Sequence, residues 1–291
     1  MADWLDLLLH ALITGLLLGG FYAAITLGIS ISFGLLDLVN IAHPAFVVAG
    51  AFVAYLFNAQ FDLDPLVTAV LLSPLAFLLG ALFYYGYYAA FERRGDEAVR
   101  GLAFFFGVMF IIEVALIIVF GVDYRTVETG YEEGSIGIGA FTAPLRMVIP
   151  FLVSLALVAA IQLFLTRTFL GRAVSAVSQD RFALQLMGVR PARVKAIGFG
   201  ISVALALVAG ALLIIMQPVE PSTGRHFIGT VFAITVLGGL GSIPGTLAAA
   251  ILIAVAESLT STFWGPSWAP VISFGALLLV IGLKPNGLFG R

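Results

Sequence analysis

The sequence predicts an all-α protein, one helix bundle crossing a lipid bilayer many times, and three observations lead there. Of 291 residues, 61% are hydrophobic, and mean hydropathy is +1.12. Only 10% are charged, against about 25% in an average soluble domain. The charges also fall between apolar runs of about 20 residues, the length a helix needs to cross the hydrocarbon.

Taken in order, the first six residues contain Asp3 and Asp6 but no Lys or Arg. A secretory leader opens with positive charge, so the first run reads as a retained helix. Full spans are predicted near 7–33, 39–58, 66–91, 101–121, 147–166, 196–216 and 268–284. The apolar stretch 227–262 is interrupted by Gly238-Gly239-Leu240-Gly241-Ser242-Ile243-Pro244-Gly245. Its pieces, 227–239 and 245–262, read as a short broken or re-entrant pair. Backbone freed by such a break must be buried in protein or line a cavity, and transporters often place their pathways there. Seven full spans plus this pair make one membrane domain, 1–291. Pro44–Ala51 lines up with Pro244–Ile251 at an offset of 200. This is either an internal repeat or a chance match of small apolar residues.

Charge gives the orientation. Arg93, Arg94 and Arg100 share one loop, Arg167, Arg172, Arg181, Arg190, Arg193 and Lys195 another, and Lys284 and Arg291 the C-terminus. Asp62, Asp64, Asp123, Glu128, Glu132, Glu133 and Glu220 fall in the opposite loops. Loops rich in Lys and Arg stay inside, which predicts an external N-terminus and a cytoplasmic C-terminus. With a net charge of −2 there is no basic field for nucleic acid.

Several chemistries are excluded. The chain has no cysteine, and its histidines, His10, His43 and His226, lack metal-ligand spacing. Neither lysine, Lys195 or Lys284, follows a glycine, so no Gly-Lys-Ser/Thr loop can cradle phosphates. Gly-x-Ser-x-Gly and His-Glu-x-x-His are also missing. No catalytic residue, cofactor or metal is expected. If ATP drives this protein, another chain binds it.

The long basic loop, 167–195, carries the most information. A helix is predicted from about Arg172 to Met187, closed by Gly188 in a left-handed cap, with Pro191 opening the next helix. One face would be apolar, with Phe182, Leu186 and Val189, while Arg172, Asp180 and Arg181 stay polar. A merely solvated loop has no reason to expose Phe182, Leu186 and Met187, so a protein-docking role is expected.

Gly171-Arg-Ala-Val-Ser-Ala-Val-Ser-Gln-Asp180, with Leu186-Met-Gly-Val189, resembles the coupling loop of bacterial branched-chain amino acid importer permeases of the LivH type. Tyr22–Gly28, Phe33-Gly34 and Asn40-Ile-Ala-His43 resemble that family's N-terminal signature, and Val236–Gly245 its late glycine-rich motif. The likeness covers essentially the whole chain, with one departure: Pro44-Ala45 stands where the family usually has glycine and an acid. It implies the permease subunit of an ATP-binding-cassette importer in a bacterial inner membrane. The implied partners are a paralogous permease, two cytoplasmic ATPases and an extracytoplasmic solute-binding protein. The coupling role then falls on Arg172, Asp180, Arg181, Phe182, Leu186, Met187, Gly188 and Val189.

Polar residues in or beside the spans are candidates for the solute path or gate, because ionised groups are costly there. They are Asn40, His43, Glu113 and Glu257, joined by Gly239 and Gly241 at the break, with Asp37 at a span edge. Helix-to-helix hydrogen bonding is the alternative for Glu113 and Glu257, and a structural cap or bridge for Asn40 and His43. The implied solute is a branched-chain or hydrophobic amino acid. A urea or amide importer, or a self-sufficient secondary transporter or channel, stays open as an alternative.

Overall fold

The computed structural model describes residues 2–94, 98–131, 134–138, 141–284 and 287–289. Glu132, Glu133 and Arg291, used above for orientation, lie outside the described residues.

The helices in chain order are α1 (Ala2–Ile29), α2 (His43–Phe61), α3 (Pro65–Ala90), α4 (Ala98–Phe120) and α5 (Leu145–Arg167). Then come α6 (Phe169–Ala176), α7 (Arg181–Leu186), α8 (Pro191–Met216), α9 (Gly224–Gly238), α10 (Ile243–Trp264) and α11 (Ala269–Leu283). A π-helical segment, Ser30–Leu35, extends α1. A small hairpin of β1 (Ser135–Ile138) and β2 (Phe141–Pro144) precedes α5.

Proline and short polar residues set the boundaries. Asp64 caps α3 by accepting from the Leu66 amide at 2.8 Å, and Pro65 follows in the first turn, where no amide hydrogen is needed. Pro44, Pro191 and Pro244 occupy the same place in α2, α8 and α10. Both copies of the eight-residue alignment at offset 200 therefore open a helix with proline in its first turn.

Eight helices among the described residues are long and apolar enough to span a membrane, and the chain is a multi-pass membrane protein. This corrects the predicted seven spans plus a short pair. α9 is indeed short, at 15 residues, or about 22 Å. α10 runs for 22 residues, about 33 Å, and is a full span. Its start lies earlier than hydropathy places it because Ser242 accepts from the Gly245 amide at 3.2 Å and draws Ile243 and Pro244 into the helix.

α1 and α8 form the enclosed centre. α8 packs on α2 and α3, and α1 on α10 and α5. Gly15 and Gly19 bring α1 against Val255 and Ile251 of α10, so that small-residue spacing serves packing within the chain. Outward faces carry bare apolar residues such as Leu71, Leu82, Ile118 and Leu278, as lipid contact requires. One end of the bundle carries the basic loops. The other holds Asp62, Asp64 and an isolated backbone bridge between Arg125 and Val219.

Candidate functional site

At the basic end, α5 stops where Thr168 takes an extended conformation and its hydroxyl accepts from the Gly171 amide at 2.9 Å. The single helix predicted over 172–187 is two helices, α6 and α7. Asp180 is the cause: with φ −153° it leaves the helical region, and its carboxylate accepts from the Ala183 amide at 2.8 Å to start a second helix. α6 buries Gly171, Ala173 and Val174 against the bundle, and Arg172 faces out. α7 buries Leu184, while Phe182, Leu186 and Met187 stand 69%, 74% and 75% exposed. Gly188, at φ +78°, ends α7 as expected. Its amide donates to Gln185 O at 2.9 Å, and the Val189 amide to Leu184 O at 3.1 Å. That pair of bonds is a Schellman closure, which brings the following residue onto the helix's inner side. Val189 is therefore half-buried against the core with Leu184, a correction to its predicted place beside Phe182 and Leu186. The side chain of Arg181 lies outside the described residues.

The turn is tied to the bundle through Lys195, which is fully buried near the start of α8. Its ammonium donates to Glu92 Oε1 at 2.7 Å, and the Tyr84 hydroxyl donates to Glu92 Oε2 at 2.6 Å. Glu92 follows α3, so this pair fixes α8 to α3 directly behind the turn. A cavity of about 620 Å³, lined by Tyr88, Glu92, Arg93, Gln185, Gly188 and Pro191 among others, separates the turn from that latch. A lone lysine opening an apolar run was the signal in the sequence. Nothing local named its partner, 103 residues away.

A polar seam runs along α1 through the bundle. Tyr22 donates to Glu257 Oε2 at 2.7 Å, and Ser273 donates to Glu257 Oε1, so the acid joins α1, α10 and α11. His43 Nε2 donates to Ile25 O at 2.9 Å, and Ser202 to Gly28 O at 2.7 Å. The Ser30 and Thr246 hydroxyls are bonded at 2.8 Å. Asn40 and His43 do sit at a helix break, and both are fully buried. The Asn40 amide and His43 Nδ1 have no hydrogen-bond partner among the described residues. Asp37, left-handed at φ 60°, is exposed and borders a cavity of about 220 Å³ with Tyr87 and Phe105.

The two irregular segments meet. Gly239 and Gly241 turn the chain between α9 and α10 at φ +90° and +79°. Gly34, in the π segment, lies so close that an added Cβ would stand 2.1 Å from the Gly241 nitrogen. Gly34→Ala is expected to cost about 1–3 kcal/mol, as overpacking does. In thermal unfolding of the purified protein it should melt several degrees below Gly86→Ala, whose Cβ meets nothing within 4 Å. Equal midpoints would show that the two segments do not press together.

Glu113 on α4 is paired with a residue that sequence reasoning missed. Arg225, near the start of α9, donates from Nε to Glu113 Oε2 at 2.8 Å and from Nη2 to Oε1 at 2.7 Å. The Glu113 side chain is 8% exposed and that of Arg225 50%. The guanidinium also lies over the Phe110 ring, 5.2 Å from its centroid. An arginine beside the apolar run at 227 was the available signal.

Residues 11–281 match the family described as branched-chain amino acid transport system, permease component. The permease protein BraD of the high-affinity branched-chain amino acid system of Pseudomonas aeruginosa is 28% identical, across 97% of this chain and 96% of that protein. LivH of Escherichia coli K12 is 27% identical over the same shares, and LivM of that organism 31% identical across 92% of this chain and 67% of its own. A solved structure, PsaBC from Streptococcus pneumoniae in complex with Fab, superposes with a TM-score of 0.51. It covers 99% of this chain and 98% of that one at 15% identity, a likeness of fold alone.

Proposed function

Since this chain belongs to the family of branched-chain amino acid transport system permease components, we propose that it is the membrane subunit of an ATP-binding-cassette importer for branched-chain or similar hydrophobic amino acids. It sits in a bacterial inner membrane with a paralogous permease, and the two together enclose the pathway. The basic end is cytoplasmic, and its 167–195 loop receives one of two ATPases, the other docking on the paralogous permease. The opposite end receives an extracytoplasmic solute-binding protein. The N-terminus is outside and the C-terminus inside.

The observation that carries this reading is the tip of α7. Phe182, Leu186 and Met187 are bare on a helix whose both ends are capped and whose inner side is packed. A rigid apolar tip beyond the membrane suits a protein groove. Docked there and on the paralogue, the ATPases drive alternating access. Their closure pushes α7, Pro191 passes the displacement to α8, and Lys195 passes it to the end of α3 through Glu92. Selection of the solute falls mainly to the binding protein, so a passage without a deep well suffices.

The test is reconstitution. ATP-dependent uptake of L-leucine is expected from the permease pair with its ATPases and binding protein, and no ATP hydrolysis from the purified chain alone, which lacks a phosphate-cradling loop. Leucine accumulation by the chain alone, driven by an ion gradient, would overturn this reading in favour of a secondary transporter.

A further inference from the structure

The Arg225–Glu113 pair differs from the Lys195–Glu92 pair in its exposure and in how closely the helices it joins pack. Lys195 and Glu92 are 0% and 7% exposed and lie where α3 and α8 pack extensively. Arg225, by contrast, is half exposed, and α4 and α9 otherwise scarcely touch. Glu113 is seven residues before the end of α4 at Phe120, about 10 Å below that end of the bundle. A half-exposed guanidinium at such depth is costly against lipid, so its open side faces water or a partner. Near the same end of the bundle a cavity of about 520 Å³ is lined by Tyr124, Thr126, Gln217, Glu220, Thr223 and His226, and neither Arg225 nor Glu113 is among its lining residues. Thr223 and His226 flank Arg225 in the chain, and the volume is that of an ordinary small-molecule pocket.

We propose that Arg225 and Glu113 form a docking site for the zwitterionic head of an α-amino acid entering from the acid-rich end. The guanidinium takes the solute's carboxylate in the same two-bond geometry in which it now holds Glu113. Glu113, released, takes the solute's ammonium group. Two pairs replace one with no change in net charge, so the solute sheds water without leaving an unpaired ion in the membrane. The aliphatic side chain lies along the Phe110 ring, already beside the guanidinium. The exchange also opens the only ionic bridge between α4 and α9 that the described residues show, so arrival of solute and parting of the helices become one event.

This inference rests on the amino acid importer reading, and one assay separates their failures. The complete importer, with both permeases, the ATPases and the binding protein, is reconstituted in vesicles and supplied with radiolabelled L-leucine. Absence of leucine uptake by the unaltered importer overturns the importer reading itself. Given uptake, Glu113→Gln with Arg225→Gln is expected to lower it at least tenfold, while ATP hydrolysis stimulated by the binding protein stays within twofold. Unchanged uptake by that double variant overturns the docking site. The charge exchange Glu113→Arg with Arg225→Glu gives a second readout. If the pair only staples two helices, the exchange restores uptake, and the proposal falls. Under the docking role, the exchange restores the melting temperature but not uptake, because the carboxylate then meets Glu at 225.

Discussion

Replacing Leu186 and Met187 together by aspartate is expected to abolish leucine uptake by the assembled importer and to release the ATPases, while the permease itself keeps its melting temperature. The two halves of that outcome have separate causes. Both side chains are about three-quarters exposed, so the isolated chain loses almost no packing. Surface changes of that kind fall within about 0.5 kcal/mol. In a docked state the same residues are central to an apolar contact. Truncating such anchors costs about 2 kcal/mol or more each, and burying an unpaired carboxylate adds to that. A loss of about 4 kcal/mol weakens binding about a thousandfold. Co-purification of the ATPases with the tagged permease measures this directly. Val189→Asp is the contrasting variant: because Val189 packs on the core beside Leu184, it should lower the melting temperature as well. Full retention of the ATPases by the double aspartate variant would remove α7 as the docking element.

Lys195→Met carries the second large expectation. It leaves the Glu92 carboxylate buried with Tyr84 but without this cation. Breaking a buried pair by removing one partner costs about 3–5 kcal/mol, whereas replacing both charges by groups of similar shape is often nearly neutral. Lys195→Met should therefore melt many degrees lower in detergent, and Lys195→Met combined with Glu92→Gln should recover most of that loss. Uptake separates stability from transmission. If the pair carries motion from α8 to α3, the combined variant regains its melting temperature but hydrolyses ATP with reduced leucine uptake per ATP. Full recovery of both would make the pair a fastener only.

Much of this architecture was written locally. Hydropathy located α2 to α5, α8 and α11 within a few residues, because whether a segment enters lipid depends on its own summed transfer cost. Gly188 was legible as a left-handed cap since glycine adopts that conformation without strain. The bare tip at Phe182, Leu186 and Met187 was legible too, as apolar residues inside a charged loop. Three local readings went astray for local reasons, the place of Val189 because the Gly188 closure turns it inward. Asp180 competes with the helix it was placed in and starts another. Ser242 extends α10 beyond the point where hydropathy falls.

The sequence alone thus determined the class of molecule, the approximate positions of most spans and the bare apolar tip in the basic loop, because each depends on residues within about one helix length. Only the tertiary structure decided who meets whom. Glu113 finds Arg225 112 residues on, Glu257 finds Tyr22 at a separation of 235, and Lys195 finds Glu92 at 103. A charge in a membrane must be compensated, and the sequence shows that requirement. Which side chain meets it depends on how α1 and α8 pack at the centre, and no window of local composition contains that information.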